Sequence, residues 1–290
     1  MKPMPVWLGL VMVYVLWGAT YLAMRVSVAV LPPWGMAGVR FVLAGVIAIL
    51  VVRARGGAYP TRREWLRALP GGLLFFVIGN GFIAVAEQSI DSSVAAAVAA
   101  STPLFASAMN AVRGERPSRG ELLGMILGMT GVALLAGSTA ITGAGLRGLV
   151  LLVAPIGFAG GSVLVRSGRA APVGAQMVAG GAMMLVLSVA AHERMPAHVS
   201  AGVVGAWLYL VVGGSVVGFT VYAWLLRNAR QATAMSYAYV NPLIAVVLGA
   251  AFGGERLSST TAIAAALITL GVVCAITLRG ATPAAAVTVK

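Results

Sequence analysis

Long, almost uninterrupted apolar runs constrain this chain more than any other feature of its sequence. A helix needs about 20 predominantly apolar residues to cross a bilayer, and ten runs of roughly that length can be read along the chain. Only 9% of the residues are charged, against about 25% in a soluble domain. We therefore expect an all-α polytopic membrane protein with ten transmembrane helices. The runs cover approximately residues 6–25, 35–52, 68–86, 93–112, 121–138, 148–166, 173–191, 203–224, 232–252 and 260–278.

The positive charges of the chain lie mainly in the short segments between these runs. A formal net charge of +13 would suggest a nucleic-acid surface in a soluble protein, but here membrane topology explains it better. If the N-terminus is cytoplasmic, the outside segments hold only Arg25, Arg147, Arg194 and Arg256, and most other cations fall inside. Cationic loops resist translocation. Both termini are therefore predicted to be cytoplasmic, and no nucleic-acid partner is expected.

Two stretches about 140 residues apart follow one pattern. One reads STPLFASAMNAVRGERPSR and contains Pro103, and the other reads YVNPLIAVVLGAAFGGERLSS and contains Pro242. In each, an apolar run follows the proline and ends at Gly-Glu-Arg, which indicates one five-helix unit used twice. Because five is odd, the second copy must cross the membrane in the opposite sense. We expect a first five-helix repeat over 1–140, an inverted second repeat over 141–279 and a disordered cytoplasmic tail over 280–290.

Inverted repeats are typical of transporters, in which the two copies meet near the middle of the bilayer and rock against each other. Pro103 and Pro242 fall near the midpoints of the fourth and ninth runs. A proline lacks an N–H, so each frees the carbonyl four residues back, at Ala99 and Ala238, and bends its helix. We predict that both prolines are hinges of the rocking motion.

Polar and aromatic side chains gather at the same depth and are the candidates for a cargo-binding cavity. An asparagine in hydrocarbon must find a hydrogen-bond partner, so Asn80 and Asn241 are expected to face the interior, where they bind cargo or only bridge helices. Uncharged rings suit a small amphipathic cargo because they bind aromatic faces, although many of them are expected only to pack. The candidate cavity residues are Trp17, Thr20, Tyr21, Asn80, Ser101, Thr102, Phe158, Ser162, Phe219, Tyr222, Tyr237, Tyr239 and Asn241.

Ionisable groups are predicted to lie away from the middle of the spans. A proton relay or cation-coupled site needs such a group inside the membrane, so we predict facilitated movement without tight proton coupling. Arg40 is the one charge within a run, and because it lies near the outer end we expect it to snorkel to the interface as an anchor, in preference to binding cargo. A structural ion pair or contacts with carbonyl groups are further alternatives for Arg40. No catalytic group, metal site or cofactor is predicted. The acidic residues, all in loops or at the ends of runs, are Glu64, Glu87, Asp91, Glu115, Glu121, Glu193 and Glu255.

Several short motifs resemble the EamA-type ten-span transporters of the drug/metabolite transporter superfamily. They are LWGATYLAMR in the first run, PPWGMAGVRF entering the second, and the paired proline and Gly-Glu-Arg elements. Within that superfamily the chain is most similar to bacterial aromatic amino-acid exporters. The resemblance implies a cavity lined by the first, third, fourth, sixth, eighth and ninth spans, with the fifth and tenth at the periphery.

The residues and the resemblance together predict an exporter that moves amino acids, aromatic and other apolar ones favoured, and related small metabolites out of the cytoplasm by alternating access. Its expected partners are this cargo and the lipid of a bacterial inner membrane, with monomer and homodimer both open. A broad-specificity drug or other metabolite exporter is one alternative, and a non-transporting membrane scaffold is another. Phosphorylated cargo is disfavoured because only Arg40 could meet its charge. An intramembrane enzyme is disfavoured because no carboxylate pair, metal set or Ser/His dyad lies at membrane depth.

Overall fold

The computed structural model describes residues 4–114, 118–255 and 258–278, and the regular elements in these ranges are all helices. The side chains of a few residues within the ranges, Tyr239 among them, are not described. Ten long helices account for most of the described residues. They are α1 Val6–Val28, α2 Pro33–Ala54, α3 Arg62–Ala86, α4 Ser92–Val112, α5 Arg119–Ala136, α6 Leu146–Arg166, α7 Val173–Ala190, α8 Ala201–Asn228, α9 Tyr237–Phe252 and α10 Ser259–Thr277. Single-turn helices at Thr139–Thr142 and Gln231–Ala234 precede α6 and α9.

Seven of these helices, α1 to α4 and α6 to α8, are long and apolar enough to cross a membrane. The other three contain shorter apolar stretches, at Leu122–Leu134, Val240–Phe252 and Ser259–Gly271. Each predicted run coincides with one of the ten helices, so the all-helical membrane fold is confirmed. Ten crossings of the bilayer and the cytoplasmic position of both termini stay predictions, as does the disordered tail at 280–290, which lies outside the described residues.

The third helix begins earlier than its apolar run. The Thr61 hydroxyl accepts a hydrogen bond from the Glu64 N–H at 3.3 Å, and the Glu64 carboxylate accepts one from the Thr61 N–H at 2.8 Å. This reciprocal capping box pairs two N–H groups that would otherwise lack partners at a helix start. The charged segment before the third apolar run therefore forms the first turns of α3.

The helices pack in combinations that relate the two repeats. α2 packs along α7, and α5 packs along α10, so each of these pairs joins a helix to the one five positions later. Other contacts also match between the repeats. α1 packs on α8 and α9, and its counterpart α6 packs on α3 and α4, which are the counterparts of α8 and α9. This is the arrangement of two copies of one five-helix unit about an approximate twofold axis, as the paired motifs predict.

Glycine lets the repeat-related pairs approach closely. A Cβ built on Gly45 of α2 would lie 2.6 Å from the carbonyl oxygen of Gly174 in α7, and one built on Gly271 of α10 would lie 2.6 Å from that of Gly124 in α5. Real Cβ atoms essentially never come that close to another atom. Small residues allow the backbones of membrane helices to pack against each other directly. A side chain at Gly45 or Gly271 would push its pair apart.

Helix irregularities also recur at matching places in the two repeats. α3 contains a π-helical segment at Gly72–Gly81, and α8 contains one at Leu210–Val217. In each segment a polar side chain donates to the carbonyl five residues back, Asn80 at 2.8 Å and Ser215 at 2.9 Å. π segments are rare and frequently lie at functional sites. Both face the region where the repeats meet.

The predicted hinge prolines have different surroundings. α4 is interrupted after Ala99, and Pro103 lies at the start of its second half. Proline cannot donate to the Ala99 carbonyl, and the Thr102 hydroxyl donates to it instead, at 2.7 Å. Pro242 lies inside α9, close to its first turn rather than at its midpoint. The hinge role of both prolines stays a prediction.

Candidate transport cavity

Four aromatic rings of the second repeat surround Trp17 of α1. Edge-to-face and tilted ring pairs are favourable because the positive edge of one ring meets the negative face of another. The ring centroids nearest to that of Trp17 are Phe158 of α6 at 5.6 Å, Phe219 of α8 at 5.1 Å, Tyr222 of α8 at 4.8 Å and Tyr237 of α9 at 5.0 Å. We call these five residues the ring cluster. Trp17 and Phe158 occupy matching positions in the two repeats, so the cluster lies where the repeats meet.

The π segment of α8 and the residue that follows it hold the indole of Trp17 in place. Its Nε1 donates to the carbonyl of Gly214 at 3.0 Å. Gly218 lies against the same edge of the ring, and a Cβ built there would be 2.3 Å from Nε1. The backbone of α8 thus supplies both an acceptor for the indole and the space that the ring occupies.

A small cavity lies beside the ring cluster. Its described lining residues come from α1 to α4, α6, α8 and α9, which matches the six spans that the resemblance implies and adds α2. The cavity has a volume of about 50 Å³, which is room for a few water molecules. An amino acid can therefore enter only when the surrounding helices move apart.

The structure brings most of the candidate cavity residues together. Ser101, Ser162 and Tyr222 are buried nearby without lining the cavity, and the Ser162 and Tyr222 hydroxyls are hydrogen-bonded at 3.0 Å. The side chain of Tyr239 lies outside the described part of the chain. Cargo binding by any of these residues stays a prediction. The candidates that line the cavity are Trp17, Thr20, Tyr21, Asn80, Thr102, Phe158, Phe219, Tyr237 and Asn241.

Two polar atoms of residues that line the cavity retain hydrogen-bonding capacity. Oδ1 of Asn241 and Nη1 of Arg40 are buried and have no hydrogen-bond partner among the described residues. A buried polar group without a partner costs about 1–3 kcal/mol, and more when it is charged. A bound polar molecule would remove that cost, so one acceptor and one donor are available for a ligand.

Arg40 does not reach the membrane surface, so its predicted role as an interfacial anchor is wrong. Its side chain is 2% exposed. Its Nε donates to the Ser215 hydroxyl at 2.8 Å and to the Leu210 carbonyl at 3.2 Å, both in the π segment of α8. These acceptors are distant in the sequence, where no local pattern reveals them. The available signal was the charge inside an apolar run, which in membrane proteins usually faces the interior.

An ionic cluster joins the two repeats at one end of the cavity, the predicted outer end. The guanidinium of Arg25, near the end of α1, lies 2.8 Å from Oδ1 of Asp91 and 3.6 Å from Oε1 of Glu255. We call these three residues the ionic cluster. The Glu255 carboxylate also accepts hydrogen bonds from the N–H groups of Ser92 and Ser93, at 2.8 and 3.1 Å, at the start of α4. Burial raises the pKa of Glu255, but these hydrogen bonds outweigh it and hold the pKa below its usual value.

Arg166, which matches Arg25 in the second repeat, is exposed and lines a polar cavity of about 690 Å³ at the opposite end of the molecule. A second cavity, of about 650 Å³, lies at the predicted outer end, where Trp34 and Glu193 are among its lining residues. Glu115 and Arg116, which match Glu255 and Arg256 in the paired Gly-Glu-Arg motif, lie outside the described residues, as does Arg256.

Glu87 is a second buried ionisable residue that the sequence does not single out. It directly follows α3, its side chain is 1% exposed, and neither carboxyl oxygen has a hydrogen-bond partner in the described part of the chain. Burial raises the pKa of this carboxyl well above its usual range, Arg25 and Arg40 lower it less, and Glu255 adds to the increase. Its place at the end of a run was predicted correctly, but a sequence position alone does not indicate which way a side chain points.

Two five-helix repeats around a central cavity, with seven helices able to cross a membrane, define the architecture of a membrane transporter. The chain belongs to the EamA-like transporter family, whose model matches residues 4–137 and 147–277. The two matched segments cover α1 to α5 and α6 to α10. This membership makes the protein a transporter rather than an enzyme.

Related proteins occur in bacteria and plants. The uncharacterized inner membrane transporter YedA of Escherichia coli (strain K12) is 36% identical over 276 residues, which cover 93% of this chain and 90% of YedA. The WAT1-related chloroplastic protein At3g02690 of Arabidopsis thaliana is 25% identical, over 90% of this chain and 67% of its own. A crystal structure of a protein that is 22% identical covers 93% of this chain and 96% of its own with a TM-score of 0.67, which shows the same fold.

Proposed function

We propose that this transporter exports amino acids, aromatic and other apolar ones favoured, and related small metabolites from the cytoplasm by alternating access. The observation that carries the proposal is the ring cluster beside Arg40 on one cavity. Rings bind an apolar or aromatic side chain through their faces and edges. A guanidinium N–H binds a carboxylate through a charge-assisted hydrogen bond.

The remaining polar groups favour an α-amino acid over a phosphorylated cargo. Among the described lining residues, Arg40 is the only cation. A phosphate dianion needs more than one such group to replace its hydration, whereas a single carboxylate is matched by one guanidinium. Oδ1 of Asn241, an acceptor without a partner in the described chain, suits the ammonium group of the same cargo.

Alternating access is supported by the contacts between the repeats at one end of the cavity. The ionic cluster ties α1 and the start of α4 to the segment after α9, while Arg166, the counterpart of Arg25, is exposed at the other end. Rocking of one repeat against the other would break the contacts of the ionic cluster. The irregular segments of α3, α4 and α8 are the places where the helices bend in this motion.

The prediction of facilitated movement rests on ionisable groups lying away from the middle of the spans, and it stays a prediction. Glu87 follows α3 as expected, but its carboxyl is fully buried. We therefore propose the cargo and the alternating-access mechanism separately from the source of energy.

We place the protein in the inner membrane of a bacterium, as the name of the relative YedA states for that protein. A broad-specificity drug or other metabolite exporter is the second candidate, because rings without charge also accept apolar compounds that have no carboxylate. A membrane scaffold is the third, and it predicts no flux at all.

The decisive experiment is flux of radiolabelled tryptophan, phenylalanine, leucine and alanine through the purified protein in liposomes, with and without a proton gradient. We expect saturable flux that is faster for tryptophan and phenylalanine. Trp17→Ala should lower this flux about tenfold, since a tenfold loss corresponds to about 1.4 kcal/mol and an aromatic contact contributes about that much.

The matched control is Trp7→Ala. Trp7 lies in the same helix but is 65% exposed, and it is not among the residues that line the cavity. Its flux should stay at the wild-type level. Flux of uncharged drugs with none of any amino acid would refute the cargo, and absence of flux of every compound would favour the scaffold.

A further inference from the structure

Glu87 presents an energetic problem that the transport cavity alone does not explain. Its carboxyl is buried, and both of its oxygens lack hydrogen-bond partners in the described structure. An ionised carboxylate in such a place loses its hydration and gains only the weaker attraction of Arg25 and Arg40 in return, so the neutral, protonated form is favoured. A buried ionisable group inside a transporter commonly marks the path of a proton or ion.

The charged neighbours of Glu87 are engaged elsewhere. Tyr21 and Arg25 on α1, Arg40 on α2 and Glu255 after α9 are the titratable groups that interact with it electrostatically. Arg25 is held by Asp91 and Glu255 of the ionic cluster and by the Ile90 carbonyl. Within the described residues, no cation lies within ion-pair distance of the Glu87 carboxyl.

Arg40 is likewise committed to α8. Its Nε donates to the Ser215 hydroxyl and the Leu210 carbonyl. Both cations near Glu87 are therefore fixed by other partners while the ionic cluster is formed.

Opening of this end of the cavity would reverse these conditions. When Glu255 leaves the N–H groups of Ser92 and Ser93, it also leaves Arg25, and water enters beside Glu87. A hydrated carboxyl near a released guanidinium is stable in its ionised form. Ionised Glu87 thus favours the open arrangement, and protonated Glu87 favours the closed one.

We propose that Glu87 is a proton-binding site of the transport cycle, which takes up one proton when the end of the cavity at the ionic cluster closes and releases it when that end opens. The proton is taken from the water on that side and returns to the same water, with one O–H bond formed on the carboxyl and later broken. The step makes the position of this end depend on pH but carries no net proton across the membrane. This inference rests on the alternating-access part of the proposed function and does not depend on the cargo.

The test measures opening directly, without cargo. Spin labels are placed at Ser89→Cys and Ala251→Cys, two exposed positions on either side of the ionic cluster, in a Cys274→Ala background. The distance between the labels is measured in lipid nanodiscs as the pH rises from about 5.5 to about 8.5, a range above the usual pKa of a glutamate. We expect the open fraction to rise with pH, by at most about tenfold per pH unit because one proton is released.

Glu87→Gln imitates the protonated carboxyl, so the label distance should stay short and lose its pH dependence. Glu87→Asp should keep the dependence with a shifted midpoint, which shows that titration rather than misfolding is measured. Glu255→Gln is the control, because it weakens the ionic cluster but leaves Glu87 to titrate, so pH dependence should persist at a higher open fraction. The same pH dependence in wild type and Glu87→Gln, or none in wild type, would overturn the proposal.

A second measurement distinguishes this proposal from the proposed cargo. Tryptophan flux into liposomes is followed with the same pH on both sides, at about 5.5 and at about 8.5, and we expect a dependence on pH in wild type that Glu87→Gln loses. Retained pH-dependent distances without amino-acid flux would support the proton site and refute the cargo. Amino-acid flux with no pH effect on the label distance or on the flux would refute the proton site alone.

Discussion

Four hydroxyl side chains near the cavity donate hydrogen bonds to backbone carbonyls of their own helix. Thr20 donates to the Trp17 carbonyl at 2.6 Å, and Ser101, Thr102 and Ser162 donate in the same way to carbonyls three or four residues back. Such bonds stabilise bends and irregular turns. Polar residue type at membrane depth therefore predicts the neighbourhood of a site correctly, but it does not separate residues that contact a ligand from those that complete the backbone.

The role of Thr102 can be tested by its stability effect. Thr102→Val removes the hydroxyl that donates to Ala99, whose usual donor is absent because of Pro103. We expect the free energy of unfolding to fall by about 1–3 kcal/mol, the cost of an unpaired buried carbonyl. Thr102→Ser keeps the hydroxyl donor, so its free energy of unfolding should fall much less. Equal losses in the two variants, measured by denaturant unfolding in detergent, would contradict this account.

The role of Arg40 can be tested by comparing cargo with and without a carboxylate. Arg40→Lys keeps the charge but loses the planar fork of donors. We expect its KM for tryptophan to rise about tenfold, or about 1.4 kcal/mol, while kcat changes little. Transport of tryptamine, which lacks the carboxylate, should be the same in wild type and variant. A parallel loss for both compounds would show that Arg40 only supports the fold.

At the scale of whole helices, α8 has the most demanding shape. Its π segment accepts the indole N–H of Trp17 and both hydrogen bonds from Arg40 Nε, and Gly218 then lies against the indole ring. A regular helix of the same sequence would not present these groups at the same spacing. The positions of Trp17 and Arg40, the two cavity residues most important to the proposed function, therefore depend on the π segment of α8.

A pair of glycine substitutions in α8 isolates this effect. A Cβ at Gly218 would meet Nε1 of Trp17 at 2.3 Å, whereas one at Gly205 would meet nothing within 4 Å. We expect Gly218→Ala to cost about 1–3 kcal/mol through overpacking and to abolish most tryptophan flux. Gly205→Ala should leave flux unchanged and gain up to about 1 kcal/mol of helix propensity. Similar unfolding curves for the two variants would be inconsistent with close packing at Gly218.

The elements of the fold follow from the sequence more directly than their irregularities do. Apolar runs near 20 residues long predict the helices because lipid requires every backbone group to be paired within the helix. The early start of α3 was also readable, since Thr61 and Glu64 have the spacing of a capping box. The π segments were not, and the one in α8 accepts hydrogen bonds from Trp17 and Arg40, side chains that come from other helices. The burial of Glu87 cannot be read from the sequence either, because it depends on how other helices pack around this residue.

For the whole molecule, the proposed alternating-access cycle gives the ionic cluster the role of holding one end of the cavity closed. The pKa of Glu255 is lowered by its hydrogen bonds with Ser92 and Ser93, although burial opposes the change. A carboxyl whose pKa is lowered in the closed arrangement stabilises that arrangement above its ordinary pKa. The stabilisation is lost as the pH falls through the lowered value.

Acidification should therefore open the ionic cluster, in the sense opposite to the effect of Glu87. In a Glu87→Gln background, the distance between labels at Ser89 and Ala251 should stay short at neutral pH and lengthen only below about pH 4, the usual range of a glutamate. With Glu255→Gln in the same background, the distance between the labels should be long at every pH. A distance that does not change on acidification would mean that the cluster does not hold this end closed.

The close contacts at Gly45 and Gly271 bear on how such a molecule can be assembled. Each joins a helix to its own counterpart in the other repeat, so a five-helix unit already carries both halves of the surface that it needs to bind a second copy. The peptide between α5 and α6 raises the effective concentration of the two halves, and its Ile141 also packs into the hydrophobic core. The two repeats of one chain therefore contact each other much as two similar subunits of a dimer do. If the peptide between α5 and α6 is cut, we expect the two fragments to bind each other.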